Sequence, residues 1–195
     1  YDPANIIANE VIRLEKILEN VLNFTRVPHP NLELANLKQT IIEVCEQLRL
    51  EFSQQNVLVE LNLQNDLPDF YFDQEKIKQV ILNLLRNSQQ SIKGEGTIGI
   101  EAYVSGGEVC ITVSDNGSGI PKDQLEMIFN PFYTTKEHGT GLGLAISQQI
   151  VHDHGGEIKV YSEVGVGTVF KILLPVHMSP ETFQRARGVA ANVQF

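Results

Sequence analysis

Basic residues are scarce: 15 Lys and Arg stand against 24 Asp and Glu, a formal net charge of −9. That balance disfavours nucleic acid or an anionic membrane as a partner, because such contacts rest on Lys and Arg. It leaves a phosphate ligand open, since backbone N–H groups hold phosphate without basic side chains. Cysteine is nearly absent. Cys45 and Cys110 form no metal-ligand spacing and sit in apolar runs, the setting of buried, reduced thiols in a cytoplasmic protein. No apolar run approaches the roughly 18–20 residues of a membrane span. Internal repeats and low-complexity tracts are missing, and the N-terminus opens on a charged amphipathic pattern instead of a signal peptide. Tyr1 rather than Met comes first, so the chain is expected to be a piece of a longer protein, either soluble or membrane-anchored. What is present is 195 residues, 42% of them hydrophobic, enough for one ordinary domain and an appendage.

The appendage comes first. Ile7, Val11, Leu14, Leu18, Val21 and Thr25 alternate four and three apart, which predicts a helix over 3–26 with a seam for a partner helix. Pro28 and Pro30 end it. The expected organisation is a bundle helix over 1–27, a linker over 28–35, a domain over 36–177 and an unassigned tail over 178–195. Within the domain, apolar spacing predicts helices over 36–54 and 74–92, the second capped by Asp73. Alternation predicts strands over 57–63, 70–72, 97–105, 108–114, 157–162 and 167–174. Gly106-Gly107 marks a tight hairpin. Residues 115–139 read as a long loop with one short helix at 121–128, and loops of that length are usually functional. A last helix is expected over 140–154, stopped by Gly155-Gly156. The fold class is α+β: a mixed, mostly antiparallel sheet with helices on one face, a two-layer sandwich preceded by a long bundle helix.

Four clusters could carry chemistry. Asn83 and Asn87 share a helix face at i and i+4. Paired amides suit a hydrated Mg²⁺ that also touches phosphates, although two Asn on a helix are equally what a solvated face carries. Asp115-Asn116-Gly117-Ser118-Gly119-Ile120 follows a strand. Its carboxylate could accept from an exocyclic amine such as that of adenine, or the run could be a plain turn. Phe129-Asn130-Pro131-Phe132-Tyr133-Thr134-Thr135-Lys136 could anchor a lid with Lys136 reaching a phosphate, or form a hydrophobic plug. Gly139-Thr140-Gly141-Leu142-Gly143-Leu144 leads into a helix and would present N–H donors and a positive dipole end to an anion. It is neither a dinucleotide fingerprint nor a P-loop.

Taken in order, the four clusters resemble the four sequence boxes of the GHKL ATP-binding family, which takes in sensor histidine kinases and gyrase- and MutL-type ATPases. The resemblance covers roughly residues 36–175. It implies ATP with Mg²⁺. Asn87 would be the main metal ligand with Asn83 beside it. Asp115 would accept the adenine amine, with Gly117, Gly119 and Ile120 shaping the pocket and Thr168 supporting it through water. Phe132 belongs to the lid. Lys136 and the run Gly139, Thr140, Gly141, Leu142, Gly143 and Leu144 would hold the phosphates, and Arg86 would help with the terminal one. Asn83, Arg86 and Lys136 are thereby the catalytic candidates.

The ATPase branch carries a Glu four residues before the Mg²⁺-binding Asn, where it activates water. Here Asn83 stands in that place, which fits transfer to a side chain. The lid and glycine run look like two-component sensor kinases of the nitrogen-regulation type. The segment Arg13 to Arg26 is similar to the second helix of their dimerisation and phosphoacceptor domain. The implied partners are ATP or ADP, the protein's own dimerisation domain in a homodimer, and the receiver domain of a response regulator. No nucleic acid or membrane contact is expected of this piece. None of the five histidines stands in a phosphoacceptor context, so the accepting His is expected upstream of Tyr1. A nucleotide-binding regulatory module without transfer, an anti-sigma-type serine kinase and a gyrase-type ATPase are the competing readings. The intact boxes argue against the first, the bundle helix against the second, and Asn83 with the acidic net charge against the third.

Overall fold

The computed structural model describes residues 30–136 and 139–176 and the isolated positions 11, 179 and 181. The helix expected over 3–26 and the tail from 178 otherwise lie outside the described residues.

Two long helices form where apolar spacing demands them. In α1 (Leu37–Gln54), Leu37, Ile41, Val44, Leu48 and Phe52 recur three or four residues apart and all are buried. Asn36 starts the helix by accepting the Gln39 N–H at 2.8 Å. Asp73 does the same for α2 (Gln74–Ser91), accepting the Lys76 N–H at 3.0 Å. Ile77, Val80, Ile81, Leu84 and Leu85 of α2 are buried. Each such side chain taken out of water contributes roughly 1.5–3 kcal/mol.

The main sheet runs in the order β2 (Val57–Leu63), β4 (Gly96–Ser105), β5 (Glu108–Asp115), β7 (Gly167–Pro175) and β6 (Glu157–Glu163). Only β2–β4 is parallel; the other three pairings are antiparallel. Gly106 and Gly107 both take positive φ in the β4–β5 hairpin, as the two-residue turns that match strand twist require. Alternation sends Ile98, Ile100 and Ala102 of β4, Val109, Ile111 and Val113 of β5, and Phe170, Ile172 and Leu174 of β7 into the core. They meet α1, α2 and α3 (Gly143–Asp153) there. This is the two-layer α+β sandwich with a mostly antiparallel sheet.

Three local expectations are corrected. Residues 33–35, expected within the linker, form β1 (Glu33–Ala35), antiparallel to β3 (Phe70–Phe72) with Leu34 opposite Tyr71. Glu-Leu-Ala carries no β-branched or aromatic residue to mark a strand, and its partner lies far along the chain. Residues 121–128 form successive turns and no helix; Gln124 and Met127 N–H groups bond three residues back, to Pro121 and Gln124. The helix expected from 140 begins at Gly143, because Gly141 at φ +69° breaks the helical backbone.

One buried imidazole pins α3 to the start of α2. His154, 4% exposed, sits within 2.7 Å of the Ile150 carbonyl through Nδ1, and its Nε2 accepts the Asp73 N–H at 3.0 Å. The carbonyl can only accept and the amide can only donate, so the ring is neutral with its proton on Nδ1. Burial pushes its pKa down, against the opposing pull of the Ile150 carbonyl and the Asp73 and Asp153 carboxylates. A lowered folded-state pKa means the unfolded chain protonates first. The contribution is therefore complete above the ordinary histidine value of about 6.5 and is lost as pH falls through it. Denaturant midpoints should drop between about pH 7.5 and 5.5, and the drop should shrink in His154→Gln, which cannot protonate. Equal slopes in the two proteins would remove the imidazole from the account.

Candidate functional site

The end of β5, the last turns of α2 and the start of α3 converge on an open cleft of about 900 Å³. Its two ends differ in chemistry.

Asp115 closes β5, where its register partners are Ile98 on β4 and Thr168 on β7. Its Oδ1 accepts the Gly117 N–H at 2.9 Å and the Ser91 hydroxyl at 3.0 Å. Its Oδ2 takes no hydrogen bond among the described residues and remains an acceptor for a ligand donor. The chain after Asp115 is fastened at each step. Asn116 Oδ1 accepts the Thr97 N–H, the Ser118 N–H bonds the Ser91 carbonyl, and the Ile120 N–H bonds Ser162 Oγ. At Gly119, φ is +70° and an added Cβ would lie 2.1 Å from the Glu163 carbonyl oxygen, so only glycine lets the loop pass β6.

The other end is lined by amides, hydroxyls and glycine backbone. Asn83 Nδ2 donates to Ser147 Oγ at 2.9 Å, and that hydroxyl donates to the Gly143 carbonyl at 3.0 Å. Asn83 thus fastens α2 to the glycine-rich start of α3 while its Oδ1 accepts nothing among the described residues. Four residues on, Asn87 Oδ1 accepts from Lys136 Nζ at 2.8 Å, and Gln90 Oε1 takes the same ammonium at 2.5 Å. Partial burial of that ammonium pushes its pKa down. Arg86 lines the cleft, its guanidinium 3.8 Å from Glu51 on α1. No side chain caps α3, so the first N–H groups of the helix remain donors at its positive dipole end.

Of the residues singled out in the sequence, Asn83, Arg86, Asn87, Asp115, Gly119, Ile120, Lys136, Gly139, Thr140, Gly141, Gly143, Leu144 and Thr168 line this one cleft. Three do not. Gly117 lies behind Asp115, where an added Cβ would fall 1.9 Å from Ser91 Oγ. Leu142 is fully buried in the core. Phe132 is 63% exposed at φ +68°. Sequence reasoning missed Gln90, Ser91 and Ser147, which also line the cleft, and Ser162 behind it. Ser91 had a signal: it stands four residues after Asn87, on the same helix face.

Among the described residues no helix is long and apolar enough to cross a membrane. Residues 72–178 match the family described as histidine kinase-, DNA gyrase B- and HSP90-like ATPase. The sensor histidine kinase ZraS of Salmonella typhimurium (strain LT2) is 39% identical over 90% of this chain and 38% of its own length. The chain therefore spans well under half of that curated relative. The crystal structure of full-length ShkA in complex with AMPPNP is 25% identical, with a TM-score of 0.77, over 85% of this chain and 36% of that one. The structure of histidine kinase ThkA in complex with the response regulator protein TrrA is 30% identical, with the same TM-score, over 93% and 54%. The chain belongs to the histidine kinase-, DNA gyrase B- and HSP90-like ATPase family.

Proposed function

We propose that this chain is the ATP-binding catalytic domain of a sensor histidine kinase. It would deliver the γ-phosphoryl group of ATP to a histidine on the protein's own dimerisation domain, for relay to the receiver domain of a response regulator. One observation carries the reading: Asp115, at the base end, is the only carboxylate lining the cleft among the described residues. Among the described residues no acid faces the phosphate end, so none of them there abstracts a proton from water. A neutral imidazole needs no such base. Its nitrogen lone pair forms the N–P bond while the bond to the ADP oxygen breaks, and ADP leaves with the electron pair. The domain's own work is positioning and charge stabilisation, which supply most of phosphoryl transfer catalysis.

Asn87 and Gln90 already share a cation, the Lys136 ammonium, so neutral carbonyl oxygens at this spot suit Mg²⁺. Asn87 Oδ1 would be the protein ligand, with the unengaged Asn83 Oδ1 beside it, and the ion would neutralise phosphate charge. Lys136 would then move onto the phosphates with Arg86, while the uncapped N–H groups of α3 hold them. Dependence on ATP would put the domain in the cytoplasm, and the apolar seam of residues 7–25 supports a homodimer. Asn87, Asp115 and the glycine run of 139–143 are the assignments on which this reading stands.

The test supplies γ-labelled ATP to this chain mixed with a separately made dimerisation hairpin carrying a phosphoacceptor His. Acid-labile label should appear on the hairpin and not on this chain. Release of inorganic phosphate with no label on the hairpin would count for the ATPase reading instead, and acid-labile label on this chain alone would contradict the reading of its five histidines.

A further inference from the structure

Behind the base end of the cleft lies a three-way hydrogen-bond junction whose polarity is fully determined. Ser162, on β6, accepts the Ile120 N–H at 2.8 Å, lies 2.8 Å from the Gly167 carbonyl oxygen, and lies 2.9 Å from Thr168 Oγ1. A serine hydroxyl has one proton and two lone pairs. The Gly167 carbonyl can only accept, so it takes the proton. The Ile120 N–H can only donate, so it takes one lone pair. The remaining lone pair faces Thr168, and Thr168 must therefore donate to Ser162. With its proton spent behind the cleft, the Thr168 hydroxyl offers only lone pairs to a base.

Thr168 is 3% exposed, lines the cleft and sits directly across from Asp115 in the β5–β7 register. The two residues then present matched chemistry: the unengaged Asp115 Oδ2 and the Thr168 oxygen are both acceptors. An exocyclic 6-amino group satisfies both, directly or through water. A 6-oxo group meets lone pairs at both.

We propose that Ser162 is a specificity-determining positioning residue. By holding the Thr168 proton away from the cleft it makes that hydroxyl an acceptor, and so selects 6-amino over 6-oxo purine nucleotides. The inference rests on the nucleotide reading above and extends it to a residue that does not touch the ligand.

Calorimetry with ADP and IDP separates the two, because hypoxanthine carries an oxygen in place of the 6-amino group and a proton on N1 where adenine has a lone pair. The native chain should prefer ADP. In Ser162→Ala the Thr168 proton is released to turn into the cleft, so ADP affinity should fall about tenfold while IDP affinity holds or rises. Ser162→Thr keeps the hydroxyl and should restore the native ratio. Thr168→Val, which leaves the Ser162 tether to Ile120 and Gly167 in place, should lower the ADP-to-IDP ratio on its own and covers the case in which Ser162→Ala does not fold. Equal losses for ADP and IDP in Ser162→Ala would reduce Ser162 to a loop tether and overturn the proposal, as would an unchanged ratio in Thr168→Val. A native chain that binds ADP but shows these unchanged ratios sinks the inference alone; a native chain that binds no adenine nucleotide sinks the nucleotide reading and the inference with it.

Discussion

Replacing Asp115 by Asn should weaken ADP binding about a hundredfold, or about 2.8 kcal/mol at tenfold per 1.4 kcal/mol. Asn can keep both internal bonds of the native carboxylate, because its carbonyl oxygen can accept from Gly117 N–H and Ser91 Oγ as Asp115 Oδ1 does. That choice forces the new NH₂ group into the place of Oδ2. A donor then faces the adenine amine, so a charge-assisted bond is replaced by two unpaired donors. Hydrogen bonds to charged groups contribute roughly 1.5–3 kcal/mol, and a buried group left unmatched costs about as much again. The fold should be spared, since the loop fastenings at Asn116, Ser118 and Ile120 do not pass through Oδ2. Calorimetry with ADP reads the loss and a thermal melt reads the stability. Unchanged affinity in a folded Asp115→Asn protein would remove the base from this end of the cleft.

Most of the elements that sequence exposed have enough residues to show a period, and the three-residue β3 showed through its aromatic Phe70-Tyr71-Phe72. The five buried positions of α1 and the inward sets of β4, β5 and β7 repeat often enough to fix both type and face. Asp73 was legible as a cap because a capping side chain bonds three residues along its own chain. β1 escaped because Glu33-Leu34-Ala35 carries no β-branched or aromatic residue, and its pairing with β3 is set by tertiary context. The start of α3 was misplaced for a different reason. Thr140, Gly141 and Leu142 carry a helix-like neighbourhood, yet Gly141 at φ +69° turns the backbone so that Leu142 enters the core and Gly143 opens an uncapped helix. At the site, the four boxes were legible as an ordered set. Of the residues that hold them only Ser91 had a signal, its place one turn after Asn87; single serines at 147 and 162 look like solvated positions until the fold brings Asn83 and Thr168 against them.

Gly141→Ala should abolish most phosphate recognition while leaving the base end intact. An added Cβ at Gly141 would lie 2.4 Å from the Phe132 carbonyl carbon, 2.6 Å from its oxygen and 2.7 Å from the Tyr133 oxygen. All three are backbone atoms, so no rotamer change relieves the clash, and the left-handed backbone itself costs an alanine roughly 1–2 kcal/mol. The lid at 132–133 must move away, or the turn must abandon φ +69°. Either change displaces the N–H donors of 139–143 and the Lys136 ammonium beside Asn87. ADP affinity should fall about a hundredfold or more, as expected when several charge-assisted contacts are misplaced together. Adenosine, which lacks phosphates, should bind as it does to the native chain. Gly106→Ala supplies the control: φ there is +64° with nothing within 4 Å of the added Cβ, and the β4–β5 hairpin lies at the far end of β5 from Asp115. It should lose stability of the same backbone origin and no ADP affinity. If Gly141→Ala lowered adenosine and ADP affinity by the same factor, the glycine run would be shaping the whole cleft and not its phosphate end.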